Sequence, residues 1–198
     1  MLEYTFENMY HEKGYRVICG VDEAGRGPLA GNVVAAAVIM PDGLCIDGLN
    51  DSKKLSEKKR EALFDIIKEN CIFGIGEATP AEIDEHNILG ATMIAMRRAI
   101  EALPEMPSLA LIDGNRAKDF HLPVVTIVGG DAKSPSIAAA SVLAKVTRDR
   151  ECLALDALYP EYGFAKHKGY PTAEHMAKVR EIGPCPVHRR SFLSFLDK

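Results

Sequence analysis

A mixed α/β fold ending in a helical C-terminal region is predicted by three features of this 198-residue chain. Two apolar runs, at 17–21 and 33–40, stand close together near its start, as paired strands do. Further on, stretches of helical periodicity alternate with short apolar runs bounded by turn residues. The last third is helical in pattern, so strands come first, alternation follows, and helices close the chain.

Element by element, a strand is expected over 15–22 and an apolar strand over 32–40, joined by a glycine-rich turn and ended by Pro41-Asp42-Gly43. Ser56 is placed to cap a helix running to about residue 69, with Leu63, Ile66 and Ile67 as its apolar stripe. Residues 71–78 alternate like a third strand. Thr79-Pro80-Ala81-Glu82 fits a capping box with proline at the first helical position, and a helix follows through 91–103 until Pro104. The runs 109–113 and 124–128 read as central parallel strands, although the stretch 114–122 between them is short for a crossover. Ser134-Pro135 opens a long helix to about residue 158. The tail holds a helix near 173–181 and a final apolar turn at 192–196.

The length suits one domain, 1–198, with an N-terminal extension of about 1–14 and a helical region of about 160–198. Residues 1–14 suggest no role; their acidic start lacks the apolar core of a signal peptide, and no run is long enough to span a bilayer. Five scattered cysteines without a C-x-x-C pair read as reduced thiols in a cytoplasmic protein. A net charge of −4 weighs weakly against nucleic-acid binding. The basic residues are nonetheless clustered, at 53–54, 58–60, 97–98, 166–168 and 188–190, and a local basic track remains open.

Chemistry is concentrated in the acids. Asp22-Glu23 follows Val17-Ile18-Cys19-Gly20-Val21, Asp113 follows Leu109-Ala110-Leu111-Ile112, and Asp131 follows the 124–128 run and Gly129-Gly130. Each alone is an ordinary turn residue. In α/β sheets ligands sit beyond the carboxyl ends of parallel strands, so parallel neighbours would bring these acids to one crevice. Adjacent strand residues face opposite ways, so Asp22 and Glu23 are expected to share a site only where the strand ends. Four converging carboxylates repel one another. A divalent cation relieves that repulsion, and an all-oxygen set suits Mg²⁺ or Mn²⁺ and not Zn²⁺. Two such ions about 4 Å apart clamp the attacking and leaving oxygens of a phosphoryl displacement.

Other phosphate motifs fail on spacing. The glycines from Gly25 to Gly31 are one residue too widely set for a dinucleotide fingerprint, and Ala132 stands where a P-loop needs glycine before Lys133. No G-x-S-x-G elbow is present. Cys185 and His188 are ligand types without a second pair.

Five segments in order resemble bacterial ribonuclease HII. They are Val21-Asp22-Glu23-Ala24-Gly25-Arg26-Gly27-Pro28, Asn50-Asp51-Ser52-Lys53-Lys54-Leu55, Ile112-Asp113-Gly114-Asn115, Gly130-Asp131 with the run 137–149, and Gly169-Tyr170-Pro171. The likeness extends from about residue 16 to His188-Arg189-Arg190-Ser191-Phe192. It implies a ribonuclease H-like fold with a five-stranded mixed sheet flanked by helices. It implies hydrolysis of RNA in RNA–DNA hybrids with Mg²⁺ or Mn²⁺, two ions per site, leaving 3′-hydroxyl and 5′-phosphate ends. Asp22, Glu23, Asp113 and Asp131 then match the family's metal-binding acids. Gly25, Arg26 and Gly27 match the loop that reads the ribose 2′-hydroxyl, and Tyr170 the tyrosine that senses a ribo-to-deoxyribo junction.

Arg26, Asp131 and the short N-terminus favour this type over the sister ribonuclease HIII. Lys53, Lys54, His188 and Arg189 are phosphate-contact candidates, and Lys145 reads equally as such a contact or as a snorkelling core-edge lysine. The expected partners are RNA–DNA hybrid and ribonucleotide-containing duplex DNA, bound by a monomer with no membrane attachment. A binding module that had lost its metals would lack at least one of the acids, and all four are present. A junction-resolving nuclease would not need the Gly-Arg-Gly and Gly-Tyr-Pro pair.

Overall fold

A computed structural model describes residues 2–197. The terminal residues Met1 and Lys198 of the expected domain span lie outside the described residues. The sheet has five strands: β1 (Ile18–Ala24), β2 (Val33–Ile39), β3 (Ile72–Ala78), β4 (Leu109–Asp113) and β5 (Val124–Ile127). Their order is β3-β2-β1-β4-β5. β1, β2 and β3 pair antiparallel, while β1, β4 and β5 run parallel, which is the mixed five-stranded sheet expected. The helices are α1 (Thr5–Glu12), α2 (Glu57–Asn70), α3 (Pro80–Glu101), α4 (Pro135–Leu158), α5 (Phe164–His167) and α6 (Ala173–Ile182). No helix among the described residues is long and apolar enough to cross a membrane.

The strand period of two divides the core. Cys19, Val21, Ala35, Ala37, Ala110 and Ile112 face α3, whereas Ala36 and Val38 face α2 and α4. Small residues let the helices sit close. A Cβ on Gly20 would stand 2.2 Å from the Ser136 carbonyl carbon, so the first turn of α4 lands on bare backbone of β1. Gly74 and Gly76 of β3 admit α3 in the same way, at 2.2 and 2.3 Å from its carbonyl oxygens.

The caps of α2, α3 and α4 are the expected ones: Ser56 and Ser134 accept from Lys59 and Ile137 amides, and Thr79 with Glu82 closes a capping box. Several boundaries differ. β1 begins later than expected and continues to Ala24, so Asp22 and Glu23 lie inside the strand. On α2 the buried residues are Leu63, Phe64 and Ile67, while Ile66 is exposed, because the face turned to α4 is centred between 63 and 67. α3 starts at Pro80, where the capping box puts it, and is broken at Asn87, whose φ of 57° interrupts the helix and whose side chain caps its second half at Leu89 and Gly90.

β5 is an edge strand and not a central one. It pairs with β4 alone, which a short apolar run does not reveal. The link from β4 to β5 has no helix, consistent with its length. α1 occupies the extension to which no element was assigned.

The helical tail joins the core through Leu29, Ala30, Tyr162, Phe164 and Val179. Its contact with the β1–β2 turn brings the C-terminal region beside the acids.

Candidate active site

β1 pairs with β4 only as far as Val21 opposite Ile112, while its ladder to β2 continues past Asp22 and Glu23. The two acids therefore flank a gap where one ladder has stopped. Asp22 shares the parity of Gly20 and turns toward α4, where the Ser141 hydroxyl bonds it. Glu23 lines the α3 side with Thr92 and Met93. They share the site across the end of the β1–β4 ladder and not, as expected, by lying past the end of the strand.

Asp113 closes β4, and its Oδ1 accepts from the Gly130 amide at 2.6 Å. That bond ties the end of β4 to the 3-10 turn Gly130–Ala132, which carries Asp131. Asp22 is buried, and its Oδ1 accepts from the Glu23 amide at 2.7 Å. Burial, followed by the charges of Glu23 and Asp113, holds the Asp22 carboxyl well above the ordinary carboxylate range. Burial raises Glu23 too; Arg26, which donates to it at 3.2 Å, offsets part of the rise. Burial and the charges of Asp113 and Asp51 raise Asp131.

Lys53 stands among these charges, its Nζ 3.8 Å from Asp131 Oδ2. Burial alone would lower its pKa, but Asp22, Asp131, Asp51 and Asp113 together raise it. Lys54 is exposed and paired with Asp51 at 3.9 Å.

Sequence reasoning missed three contributors. Asp51 caps the 3-10 turn of Lys53 and adds a fifth negative charge. Ser141 bonds Asp22, and Ser52 bonds Ser141 at 2.7 Å. Asp51 and Ser52 were inside the quoted Asn50–Leu55 segment. Only the folded chain shows that a serine in the alanine-rich run of α4 faces Asp22.

Two clefts meet at Glu23 and Arg26, of about 400 and 540 Å³. The second is lined by Gly25, Gly27, Lys53, Lys145 and Tyr170, so the glycine loop and the tyrosine face the same space. A larger hollow of about 860 Å³ adjoins the first, sharing Asn115 and Arg116 with it. Gly25 has a φ of 96°, and a Cβ there would stand 2.1 Å from Arg148 Nε, so only glycine fits. A Cβ on Gly27 would stand 3.5 Å from the Tyr170 ring.

No three His, Cys, Asp or Glu side chains among the described residues already enclose a metal-sized position. The donor set still suits a hard divalent cation: every donor is a carboxylate oxygen, and the burial and mutual repulsion that raise Asp22 and Asp131 are what such a cation offsets.

Two expected phosphate contacts are corrected. His188 is buried, within hydrogen-bond distance of His175 and Cys185. Arg189 is fully buried and donates to the carbonyls of Gly25, Arg26, Pro28, Gly31 and Asn32. Neither reaches solvent. Arg189 instead shapes the loop from inside, since a guanidinium has five donors in a fixed plane and the turn offers matching carbonyls.

The model of the family Ribonuclease HII matches residues 19–195. A ribonuclease HII of Acetivibrio thermocellus is 53% identical over 188 residues, spanning 94% of this chain and 73% of that protein. Among solved structures, the ribonuclease H2 of Pyrococcus horikoshii superposes with a TM-score of 0.75 at 27% identity, covering 92% of this chain and all of the other. The Archaeoglobus fulgidus ribonuclease HII, solved with PCNA, gives 0.70 at 26%, covering 88% and 94%. With residues 19–195 matching the family model and 94% of the chain matching a relative at 53% identity, this chain belongs to the ribonuclease HII family and is an endoribonuclease of the ribonuclease H type.

Proposed function

We propose that this enzyme hydrolyses the RNA of RNA–DNA hybrids and nicks duplex DNA on the 5′ side of a single embedded ribonucleotide. The observation that carries this reading is the shared cleft. Glu23 of the acid cluster, the Gly25-Arg26-Gly27 loop and Tyr170 line one space, so a group that cleaves and groups that identify ribose face the same strand.

Asp22, Glu23, Asp113 and Asp131 are read as the residues that hold Mg²⁺ or Mn²⁺, two ions in each site. When bound, such ions supply the positive charge that activates water and stabilises the leaving oxygen. The chain supplies the rest. Ser141 and the Glu23 amide fix the Asp22 carboxylate, and the Gly130 amide fixes Asp113. Lys53 and Lys54 are assigned to backbone phosphates, where a mobile ammonium serves as a point charge. Water oxygen bonds to phosphorus, the bond from phosphorus to O3′ breaks, and a proton ends on O3′. The products are a 3′-hydroxyl and a 5′-phosphate.

Selection of ribose is assigned to the loop and the tyrosine. The 2′-hydroxyl is what separates RNA from DNA, and the amides of a glycine loop approach it without side-chain obstruction. Tyr170, 43% exposed, is free to stack on the sugar of the following nucleotide, where a second 2′-hydroxyl would crowd it. Together they test for ribose followed by deoxyribose. We read the chain as one catalytic domain acting as a monomer in the cytoplasm; its cysteines are free thiols.

The test is a duplex with one ribonucleotide, incubated with and without Mg²⁺, with product ends identified. A nick 5′ of the ribonucleotide only with the metal is expected. Tyr170→Ala should lose roughly one to two decades of rate on this duplex and much less on a long hybrid. Equal losses on both substrates would remove Tyr170 from junction sensing, and a wild-type enzyme unable to nick the duplex would overturn the reading.

A further inference from the structure

Three histidines lie beneath the cleft, outside the acid cluster. His167 belongs to α5, His175 to α6 and His188 to the tail, and all three are buried. His167 and His175 stack with ring centroids 4.2 Å apart, and Phe164 packs against all three rings at 5.5 to 6.0 Å.

Their partners fix the tautomers. His175 Nδ1 lies 2.9 Å from the Tyr170 carbonyl oxygen, an acceptor only, so that nitrogen carries a proton. His188 Nδ1 accepts from the Cys185 amide at 3.0 Å, so in the neutral ring its proton is on Nε2. His188 Nε2 then donates to His175 Nε2 across 3.0 Å, and every nitrogen of the pair is satisfied. His167 follows the same logic: its Nε2 donates to the Tyr162 carbonyl at 2.7 Å, and its Nδ1 accepts from the Gly169 amide at 3.2 Å. Burial lowers the pKa of His175 and pushes that of His188 down to about 4, so both rings are neutral near pH 7.

The network has two ends. One is the backbone of Tyr170, whose carbonyl His175 holds and whose amide bonds the His167 carbonyl at 2.9 Å. The other is the segment of His188 and Arg189. Ala30 bridges to His188, the Arg189 amide bonds the Leu29 carbonyl at 2.8 Å, and the Arg189 guanidinium gathers the carbonyls of the glycine loop. The bond between His175 and His188 joins the tyrosine to the loop.

We infer that His175 and His188 are positioning residues for substrate selection, a buried hydrogen-bonded pair that holds Tyr170 in register with the Gly25-Arg26-Gly27 loop. Neither touches substrate. This deepens the junction reading and rests on it for the substrate compared, but the coupling between His175 and Tyr170 is measurable on any duplex the enzyme cleaves.

The experiment is a double-mutant cycle. His175→Phe keeps a ring and removes both nitrogens. It should lower the rate on the single-ribonucleotide duplex about tenfold, the scale of one lost hydrogen bond, with a smaller loss on a long hybrid. Combined with Tyr170→Ala it should add nothing, because the group it positions is gone. His188→Gln keeps an N–H near the Nε2 place and should stay within about threefold of wild type.

A role in stability alone predicts a full additional loss in the double variant, and that result overturns the inference; so does a His175→Phe loss equal on both substrates where Tyr170→Ala itself tells them apart. If His175→Phe does not fold, His175→Asn keeps a donor for the Tyr170 carbonyl while dropping the bond to His188. The intermediate loss expected of it, absent again in the Tyr170→Ala background, decides the question. Failure of the junction reading shows separately, as a Tyr170→Ala loss equal on both substrates, and leaves the cycle readable.

Discussion

Asp22 is a carboxylate that the fold buries against its own interest. Desolvation and two neighbouring acids raise its pKa, so the native state of the metal-free protein binds its proton more tightly than the unfolded chain does. The sign follows: stability falls as pH rises from about the ordinary value of 3.8 toward the raised one. Asp22→Asn keeps the shape and removes the charge. Thermal melting without metal near pH 7 should show this variant at or above wild type, while turnover with Mg²⁺ drops by about two orders of magnitude or more. Lower stability with retained turnover would take Asp22 out of the site.

The convergence of the four acids was legible only in their combination: each alone reads as a turn residue, and it is their recurrence after apolar runs that points to one crevice. Asp51 and Ser141 were not legible, since only the folded chain brings them to Asp131 and Asp22. Arg189 was misread for a related reason. Residue type suggests a solvated cation, yet a ring of carbonyls can satisfy a buried guanidinium, and no local pattern announces that.

Among the elements, α1 shows what periodicity left out. Phe6 and Tyr10 pack on the apolar cluster of Ile18, Leu109 and Ile137, and a polar link adds to them: Glu7 is buried, and its Oε1 accepts from Ser134 Oγ at 2.6 Å, Ser136 Oγ at 2.7 Å and the Ser136 amide at 3.3 Å. These donors sit at the N-terminus of α4, where a negative charge meets the helix dipole. Ser134 is three residues past Asp131, so α1 steadies the helix start next to the acid turn. One glutamate in an eight-residue helix carries no such signal in sequence. Glu7→Ala leaves two buried hydroxyls without their acceptor and should cost about 2–3 kcal/mol, read as a lower denaturant midpoint with an unchanged m-value. An unchanged midpoint would mean that the Glu7 hydrogen bonds add nothing to the apolar packing of α1. The strands and the caps of α2, α3 and α4 were legible because their signals are local. The kink at Asn87 and the edge position of β5 were not, because tertiary packing decides them.

For the whole molecule, the question is how a chain of net charge −4 holds a polyanion. Several of the basic clusters are spent internally. Arg98 closes on Glu82 at 2.6 Å, Lys166 pairs with Glu174, Arg60 bonds the carbonyls of Ser52 and Leu55, and Arg189 is inside the protein. The cations lining the clefts are Lys53, Arg116, Arg26, which is held by Glu23, and Lys145, which is held by Asp149, with Arg97 and Lys118 on the adjoining hollow. The first four line the same clefts as Glu23 and Asp113 although they come from distant parts of the sequence, and composition alone does not show that. Each phosphate contact releases counterions, so hybrid affinity should fall linearly on a log–log plot against salt, by about one unit of slope per contact. Binding is best measured with Asp113→Asn, which keeps the groove and should stop cleavage. In that background Lys53→Ala should make the slope shallower by about one unit with little change in melting temperature. Arg189→Ala should do the reverse, holding the slope while lowering the melting temperature, because its guanidinium meets carbonyls and not phosphate. A slope unmoved by Lys53→Ala would place that lysine off the substrate path, and a slope moved by Arg189→Ala in a protein that melts like wild type would reopen the tail as a contact surface.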